Sequence, residues 1–346
     1  MTRKCKIIFG LVLLGLSVRA VTGAAAQDRV VLPATGSAVT PEWKQYNAEA
    51  DTKGAPLLKY VVTAKAMTQT KEREPAQIQD MFSLTDNELY VYTSWINVKD
   101  GSKYSIRIYD PRGVLFDDAE RVYRFGTERW NLWDSLHVKG WAAARVPGKW
   151  RADVLMNGTL ATTKEFYIGS DARRHEPSPS KESGRTIGVY PYFVDTEDRI
   201  GTTVRDNSFR LPLYLAQMLT LDFEPQRVVM PFELRRTIVN PKTKYDGVRG
   251  FLNQELKAGE SEWNAMVKKH NLDLVIAGRV YDRATYRDEK EATIYLVESR
   301  TMNIKEIKAS YKSLQERERT GFDVQANFYR AIYDEIFKPI ADLLKK

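Results

Sequence analysis

Hydrophobic and polar positions alternate with period two through much of residues 57–169, where short runs are rich in β-branched and aromatic residues. Turn-forming sequences separate these runs at 99–102, 110–113 and 156–159. The pair Asn157-Gly158 is the strongest signal, because both residues tolerate the positive φ of a two-residue type I′ hairpin. The pattern predicts an all-β sandwich that ends in a hairpin joining 150–156 to 160–168.

After residue 185 the period changes, and strand-like and helix-like segments alternate. Leu211, Leu215 and Leu219 recur at helical spacing, which predicts a helix over 208–222 with Pro212 in its first turn. A second apolar stripe predicts a final helix over 322–344, kinked near Pro339. Strands are predicted at 186–194, 227–234, 271–281, 291–299 and 304–311, with further helices at 247–257 and 263–270. This order predicts an α/β domain.

Prolines and serines without apolar periodicity fill residues 170–185 and mark the clearest boundary in the chain. Such a composition favours an exposed, flexible linker. Residues 27–56 are rich in Ala, Thr, Pro and Gly and are expected to form a flexible lead-in. The predicted organisation is therefore a two-domain protein, with a β-sandwich domain at 57–169 and an α/β domain at 186–346.

The N-terminus has the three parts of a secretory signal peptide. Arg3, Lys4 and Lys6 precede an apolar run at 7–18, and small residues follow at 24–26. The run is too short for a membrane span, which needs about 20 residues. We therefore expect a signal peptide at 1–26 and a bacterial periplasmic location. The alternative, suggested by Arg19 deep in this segment, is an uncleaved membrane anchor.

Removal of the signal peptide changes the chemistry that the composition allows. Arg3, Lys4, Lys6 and Arg19 carry four of the eight net positive charges, so +4 remains, well mixed along the chain. This balance argues against nucleic-acid binding. Cys5 is the sole cysteine and leaves with the signal, so no disulfide or thiol chemistry is expected. No second long apolar run is present, and we expect no stable membrane insertion.

The end of the β-rich half resembles the immunoglobulin-like sandwich of many exported bacterial proteins. The similarity rests on Pro147-Gly148-Lys149-Trp150 before a strand, then Asn157-Gly158, and a closing Phe166-Tyr167-Ile168-Gly169. It covers residues 82–169 and implies a fold without any particular activity.

The second half is similar to the small α/β domain shared by the TolB N-terminal domain and CsgG-like proteins. The similarity rests on segments 187–193, 213–219 and 270–280. It implies a non-enzymatic envelope protein whose α/β domain docks onto a partner or onto copies of itself. The lipobox of the secretion-pore relatives and a long amphipathic hairpin are absent from the sequence, so a pore role is not expected.

Catalytic and cofactor motifs are not found in this sequence. His137, His175 and His270 lack metal-ligand spacing, and neither a nucleotide-binding glycine pattern nor a Gly-x-Ser-x-Gly motif occurs. We therefore expect no metal and no cofactor. An acidic loop of Asp195, Glu197 and Asp198 follows the first α/β strand, where doubly wound sheets place ligands. It could bind a cation or basic groups, although surface loops often carry such acids.

Tryptophans are concentrated in the β-rich half, where Trp130, Trp133, Trp141 and Trp150 are interleaved with arginines that include Arg129 and Arg145. Tryptophan and arginine together are typical of interface anchors and sugar-stacking surfaces. The alternative is that two or three of these indoles fill the sandwich core.

Three functions are compatible with these features. The first is an exported, non-enzymatic envelope protein that acts as an adaptor or structural accessory through protein contacts. The second is a glycan-binding module that stacks sugars on exposed tryptophans of the sandwich, namely Trp130, Trp133 or Trp141. The third is an enzyme that uses the acidic loop. Solvent exposure of the indoles separates the second function from the first.

Overall fold

The computed structural model describes residues 54, 56–70, 73–127, 129–169, 184–191, 193–195, 202–224, 227–235, 262–282, 289–312 and 321–345. All of them belong to one compact unit, Glu49–Lys346. The predicted signal peptide, most of the lead-in and most of the linker lie outside these residues. The described chain is mainly β-structure, arranged in three sheets, with helices packed against the third.

The strands of residues 57–168 form two sheets, which we call the two-sheet region. In chain order they are β1 (Leu57–Met67), β2 (Pro75–Ile78), β3 (Met81–Phe82), β4 (Glu88–Ile96), β5 (Lys103–Tyr109), β6 (Leu115–Val122), β7 (Arg129–His137), β8 (Gly148–Met156) and β9 (Thr159–Ile168). One sheet has the order β2-β1-β4-β7 and the other β3-β9-β8-β5-β6. A short 3₁₀ helix, Ala142–Arg145, separates β7 from β8.

The two sheets pack face to face through their alternating apolar residues. Trp95 of one sheet meets Tyr104 of the other edge-on, with ring centroids 4.8 Å apart. Trp150 is fully buried and contacts Phe116 of its own sheet edge-on at 4.9 Å. The period-two pattern therefore places aromatic side chains between the sheets, as alternation in strands requires.

The predicted hairpin at Asn157-Gly158 is confirmed. Both residues have positive φ, 49° and 82°, and β8 pairs antiparallel with β9 on either side of them. The Asn157 side chain also accepts a hydrogen bond from the Lys103 backbone N–H at 2.9 Å. The turn thus fixes the register of two strands and links a third to them.

The third sheet and its helices form the α/β region. Its strands are β10 (Ile187–Val189), β11 (Val194–Asp195), β12 (Val228–Val229), β13 (Leu274–Asp282), β14 (Glu289–Glu298) and β15 (Ile304–Lys312). Its helices are α1 (Thr202–Asp222), α2 (Pro231–Arg235), α3 (Glu262–His270) and α4 (Gly321–Leu344). The sheet order is β12-β10-β13-β14-β15, with β11 also paired to β13. The β10, β11 and β12 pairings are parallel, whereas β13, β14 and β15 form an antiparallel run.

Three predicted elements of the α/β region differ in the structure. Helix α1 begins at Thr202, so Pro212 lies in its interior and the prediction of a first-turn proline was wrong. The predicted strand at 227–234 is a two-residue strand followed by α2, because Pro231 can start a helix but cannot donate to a sheet ladder. The predicted strand at 186–194 is split between β10 and β11, on either side of Pro191. The predicted helix at 247–257 lies outside the described residues.

Helix α1 covers the open side of the two-sheet region, where the edge strands β6 and β7 lie. Gln217 of α1 donates from Nε2 to the backbone oxygen of Phe116, which adjoins that edge, at 3.0 Å. Arg112 donates from Nη1 to the Thr220 carbonyl in the last turn of α1 at 2.8 Å. An exposed strand edge and an open helix end each leave backbone groups unpaired. Here the helix pairs a carbonyl of the strand edge, and the two-sheet region pairs a carbonyl of the helix end.

An ion pair and aromatic contacts complete this junction between the two regions. Arg145 pairs with Asp222 at 3.0 Å, and the Tyr333 hydroxyl of α4 donates to the same carboxylate at 2.7 Å. Trp141 is buried between Tyr214 of α1 and Tyr329 of α4, with ring centroids 5.6 and 5.3 Å away. One continuous apolar cluster consequently runs from the two-sheet region into the α/β region.

Candidate functional site

A cavity of about 310 Å³ lies between the edge strands β6 and β7 and helix α1. We call it the junction pocket. Its wall combines acidic, basic and aromatic side chains, among them Asp117, Arg121, Trp133, Asp134, His137 and Arg210. Pockets in which polar groups converge beside aromatic rings are the usual form of small-molecule sites.

Two of the three acids that line the junction pocket, Asp117 and Asp134, occupy strand positions that normally hold apolar residues. Asp117 of β6 pairs across the ladder with Ile108, and Asp134 of β7 pairs with Val91. Cross-strand partners lie on the same face of a sheet. Ile108 and Val91 are fully buried in the core. Asp117 and Asp134 therefore face inward, from opposite sheets, at the open edge that α1 closes.

Burial changes the protonation of both acids. It raises the pKa of Asp134 to about 6, with nearby Arg121 opposing the shift. It raises the pKa of Asp117 well above its ordinary value, and the charge of Asp134 raises it further. Each carboxyl accepts one backbone hydrogen bond, from Asp118 N at 2.7 Å to Asp117 and from Ser135 N at 3.0 Å to Asp134. Asp134 Oδ2 is buried and has no hydrogen-bond partner among the described residues.

The neighbouring Asp118 has a different environment. Its side chain is fully buried, and Oδ2 accepts a hydrogen bond from Arg107 Nε at 3.1 Å. The positive charge of the Arg107 guanidinium offsets the loss of hydration that this buried carboxylate undergoes. Asp118 therefore serves the structure of β5 and β6, while Asp117 and Asp134 provide a carboxyl pair that can hold a proton and donate it in a hydrogen bond.

His137 forms an aromatic and uncharged part of the wall. Burial, followed by the positive charge of Arg210, lowers the pKa of His137 to about 3. Arg210 donates a hydrogen bond to Nε2, so the ring proton is on Nδ1, which lies 3.5 Å from a Glu88 oxygen. The ring also packs against Trp141, with centroids 4.6 Å apart. His137 thus orients Arg210 at the pocket and does not act as a proton donor near neutral pH.

The predicted tryptophan cluster is divided between the core, the junction pocket and the far end of the two-sheet region. Trp150 is core, and Trp141 is buried in the junction, so its ring offers no exposed stacking face. Trp133 is half-buried at the pocket, where it stacks on Tyr92 at 6.5 Å with an interplanar angle of 12°. Trp130 is half-buried at the end of β7 far from the pocket and packs edge-on against Tyr104 at 5.2 Å. Of the three predicted ligand-binding indoles, Trp130 and Trp133 keep exposed area.

The predicted arginines also lie apart. Arg129 is exposed at the start of β7, beside Trp130, while Arg145 is held at the junction by Asp222. In the acidic loop, the backbone of Asp195 belongs to β11, and Glu197 and Asp198 lie outside the described residues, so that site stays a prediction. Within the described part of the chain, no group of three or more His, Cys, Asp or Glu side chains is arranged to hold a metal ion.

The junction pocket was not predicted from the sequence, although a signal for it exists. In 132–136 the apolar alternation places Asp134 between Leu132 and Leu136 on the inward face. An acid at a position that the period assigns to the core is unusual and points to a special environment. Arg210 and Gln217 could not have been connected with it, because they lie on α1, more than 70 residues further along the chain.

Comparisons with known proteins do not identify the chain. No protein-family model and no curated protein matches it. Among solved structures, the alkylpurine DNA glycosylase AlkC of Pseudomonas fluorescens is similar at 13% identity and a TM-score of 0.21, over 32% of this chain and 30% of that one. A beta-glucuronidase of Bifidobacterium dentium is similar at 9% identity and a TM-score of 0.21, over 44% of this chain and 24% of that one. The chain thus spans less than a third of either protein, and neither similarity assigns a fold or an activity.

None of the helices in the described part of the chain combines the length and apolarity needed to cross a membrane.

Proposed function

We propose that the protein is an exported, non-enzymatic accessory of the bacterial cell envelope, an adaptor that holds two binding surfaces at a fixed separation. In this proposal the two-sheet region is an immunoglobulin-like domain and the α/β region is a domain of the TolB and CsgG type. Export to the periplasm rests on the signal-peptide pattern of residues 1–26.

The junction is the observation that carries this proposal. Flexibly tethered domains move relative to one another unless a large apolar interface joins them. Here Arg112, Gln217 and the Arg145–Asp222 pair connect the regions, and the aromatic core is continuous across them. A rigid connection of this kind suits a protein whose two ends bind different partners.

Site-specific photocrosslinking in an exporting bacterium tests the adaptor proposal. The crosslinking amino acid replaces Phe125 in the two-sheet region or Ile304 on β15, which are 66% and 41% exposed. Glu335, exposed on α4, serves as the control position. An adaptor gives a defined crosslinked product, with protein or with lipid, from each of the two test positions and none from the control. Absence of any product from both test positions contradicts the proposal.

A second function, glycan binding, is favoured by one specific observation at the junction pocket. Trp133 is half-buried and lines the pocket together with the Asp117–Asp134 carboxyl pair and Arg210. An aromatic face with hydrogen-bonding groups around it suits a sugar ring, which has apolar C–H faces and polar hydroxyl edges.

Binding of soluble cell-wall oligosaccharides, measured by calorimetry, tests this second function. Trp133→Ala removes the exposed part of the stacking face, and Trp130→Ala is the matched control outside the pocket. We expect up to about tenfold weaker binding for the first variant, from an aromatic contact of roughly 0.5 to 1.5 kcal/mol, and little change for the second. Equal effects of both substitutions, or no binding by the wild type, would count against a glycan site in this pocket.

A further inference from the structure

Exposed apolar side chains gather at the end of the two-sheet region that lies away from the α/β region. This end contains the start of β1, β5, β7 and β9 and the ends of β4, β6 and β8. Leu57, Val122, Phe125 and Leu160 are exposed there by 45, 36, 66 and 55%. We call this surface the distal tip.

Phe125 has a rigid base although it projects into solvent. Its ring contacts Tyr123 at 5.6 Å and Trp130 at 6.4 Å. Its loop is tied to the neighbouring 99–102 loop, because Gly101 N donates to Tyr123 O at 3.0 Å and Gly126 N donates to Asp100 Oδ1 at 3.3 Å. A large apolar side chain held outward in this way is typical of an interaction surface, since solvent contact alone gives no reason to rigidify it.

Basic side chains surround these apolar residues. Exposed cations near the tip are Lys99, Lys103, Arg124 and Arg129. Lys59 is half-buried close to Arg129, and burial, followed by the positive charge of Arg129, lowers the pKa of Lys59. The described acids there are Asp100 and Glu120, the latter paired with Lys103 at 3.7 Å. In the sequence, Glu128 directly precedes Arg129. The tip therefore keeps a positive excess next to an outward-facing phenylalanine.

We propose that the distal tip binds the surface of an anionic phospholipid membrane, with Phe125 entering the headgroup boundary and Arg124 and Arg129 contacting lipid phosphates. The positive excess of the tip is complementary to the negative charge of anionic lipid headgroups. The periplasmic location proposed above places the protein beside phospholipid leaflets. The indole of Trp130 is suited to the same boundary, where aromatic residues with a polar edge concentrate. Contact of this kind is peripheral and reversible, since a few apolar side chains do not anchor a protein stably. The inference rests on the proposed export and gives the adaptor one of its two partners.

Co-sedimentation of the exported protein with lipid vesicles tests the proposal. Mass spectrometry of the same protein shows whether residues 1–26 have been removed. Vesicles of neutral phosphatidylcholine are compared with vesicles that contain about 30% anionic phosphatidylglycerol, near physiological ionic strength. Wild-type protein is expected to bind the anionic vesicles and to dissociate at high salt. Arg124→Gln with Arg129→Gln should weaken binding about 25-fold, at about fivefold for each basic residue. Phe125→Ser should weaken it about tenfold through lost apolar burial.

Two control variants match these changes elsewhere on the surface. Met81→Ser alters an apolar residue that is 60% exposed at the opposite end of the two-sheet region, and Lys305→Gln with Lys308→Gln removes two exposed charges of β15. Both controls should bind like the wild type. Equal binding to neutral and anionic vesicles, unchanged in the tip variants, would assign binding to the N-terminal segment and overturn the proposal. A protein crosslink from position 125 without vesicle binding would also overturn it, while leaving the adaptor function in place.

Discussion

Replacement of Asp134 by asparagine tests the electrostatic description of the junction pocket. The side chains have nearly the same shape, so the substitution removes a titrating group with little change in packing. Asp134 faces inward between two sheets, and its Oδ2 atom has no hydrogen-bond partner among the described residues. We therefore expect Asp134→Asn to stabilise the protein near neutral pH, which is uncommon for a substitution at a buried position.

The size of this effect follows from the pKa of Asp134, which burial raises from 3.8 to about 6. At about 1.4 kcal/mol per pH unit, this shift corresponds to about 3 kcal/mol. Between these two pH values the native state holds more of this proton than the unfolded state, so the free energy of unfolding falls as pH rises through the window. Above pH 6 the native protein contains a buried, ionised carboxylate. The neutral amide avoids this loss, so its advantage is up to about 3 kcal/mol at pH 8 and vanishes below about pH 3.5.

Urea unfolding of wild type and Asp134→Asn from pH 4 to pH 8 measures the difference. The expected result is two curves of stability against pH that converge at acid pH and separate as pH rises toward 7. Asp342→Asn, which removes an exposed carboxylate of α4, controls for the change in net charge. A variant that is less stable than the wild type at pH 8, or a difference independent of pH, would refute the assignment of Asp134 as a buried group that gains a proton on folding.

Three further changes probe the core, the junction and the hairpin. Trp150→Ala removes a fully buried indole and should lower the free energy of unfolding by about 3 to 5 kcal/mol, and a loss below about 1 kcal/mol by urea unfolding would contradict its place in the core. Arg112→Ala leaves the buried Asp110 carboxylate and the Thr220 carbonyl without their guanidinium and should cost about 3 to 5 kcal/mol, whereas an unchanged thermal midpoint would show that this contact does not hold the regions together. Gly158→Ala places a Cβ at φ 82° in open space, so a strain of about 1 kcal/mol is expected without a clash, and no change in the urea midpoint would argue against the type I′ turn.

Local patterns were sufficient to predict the strands and the last hairpin. Alternation at 103–109, which is β5 in the structure, and the pair Asn157-Gly158 specify structure through neighbouring residues. The predicted bounds of the two hairpin strands, β8 and β9, agree with the structure to within about two residues. Helix α4 was predicted for the same reason, since its apolar stripe persists over six turns. The start of α1 was missed, because 202–207 contain Thr, Asp and Asn and lack a helical stripe.

Contacts between distant residues could not be predicted in this way. Gln217 and Phe116 are 101 positions apart, and Arg112 and Thr220 are 108 apart. No local pattern pairs an arginine in a turn with a helix end that forms much later in the chain. The tryptophan cluster shows the same limit, because spacing alone could not assign Trp150 to the core, Trp141 to the junction and Trp133 to the pocket wall.

The acids of the junction pocket connect stability with function. The residues that pair with Asp117 and Asp134 across the strands are aliphatic, so aliphatic side chains would also suit these two positions. They would avoid the loss of about 3 kcal/mol in the free energy of unfolding that ionised Asp134 causes at neutral pH. The fold does not need two inward-facing carboxyls at its open edge. Groups that lower stability and have shifted pKa values concentrate where a protein binds or reacts. Arg210 and Trp133 line the same cavity, so the junction pocket is the first place to look for a ligand of this edge of the two-sheet region. A ligand that binds there should raise the free energy of unfolding, which the carboxyl pair lowers.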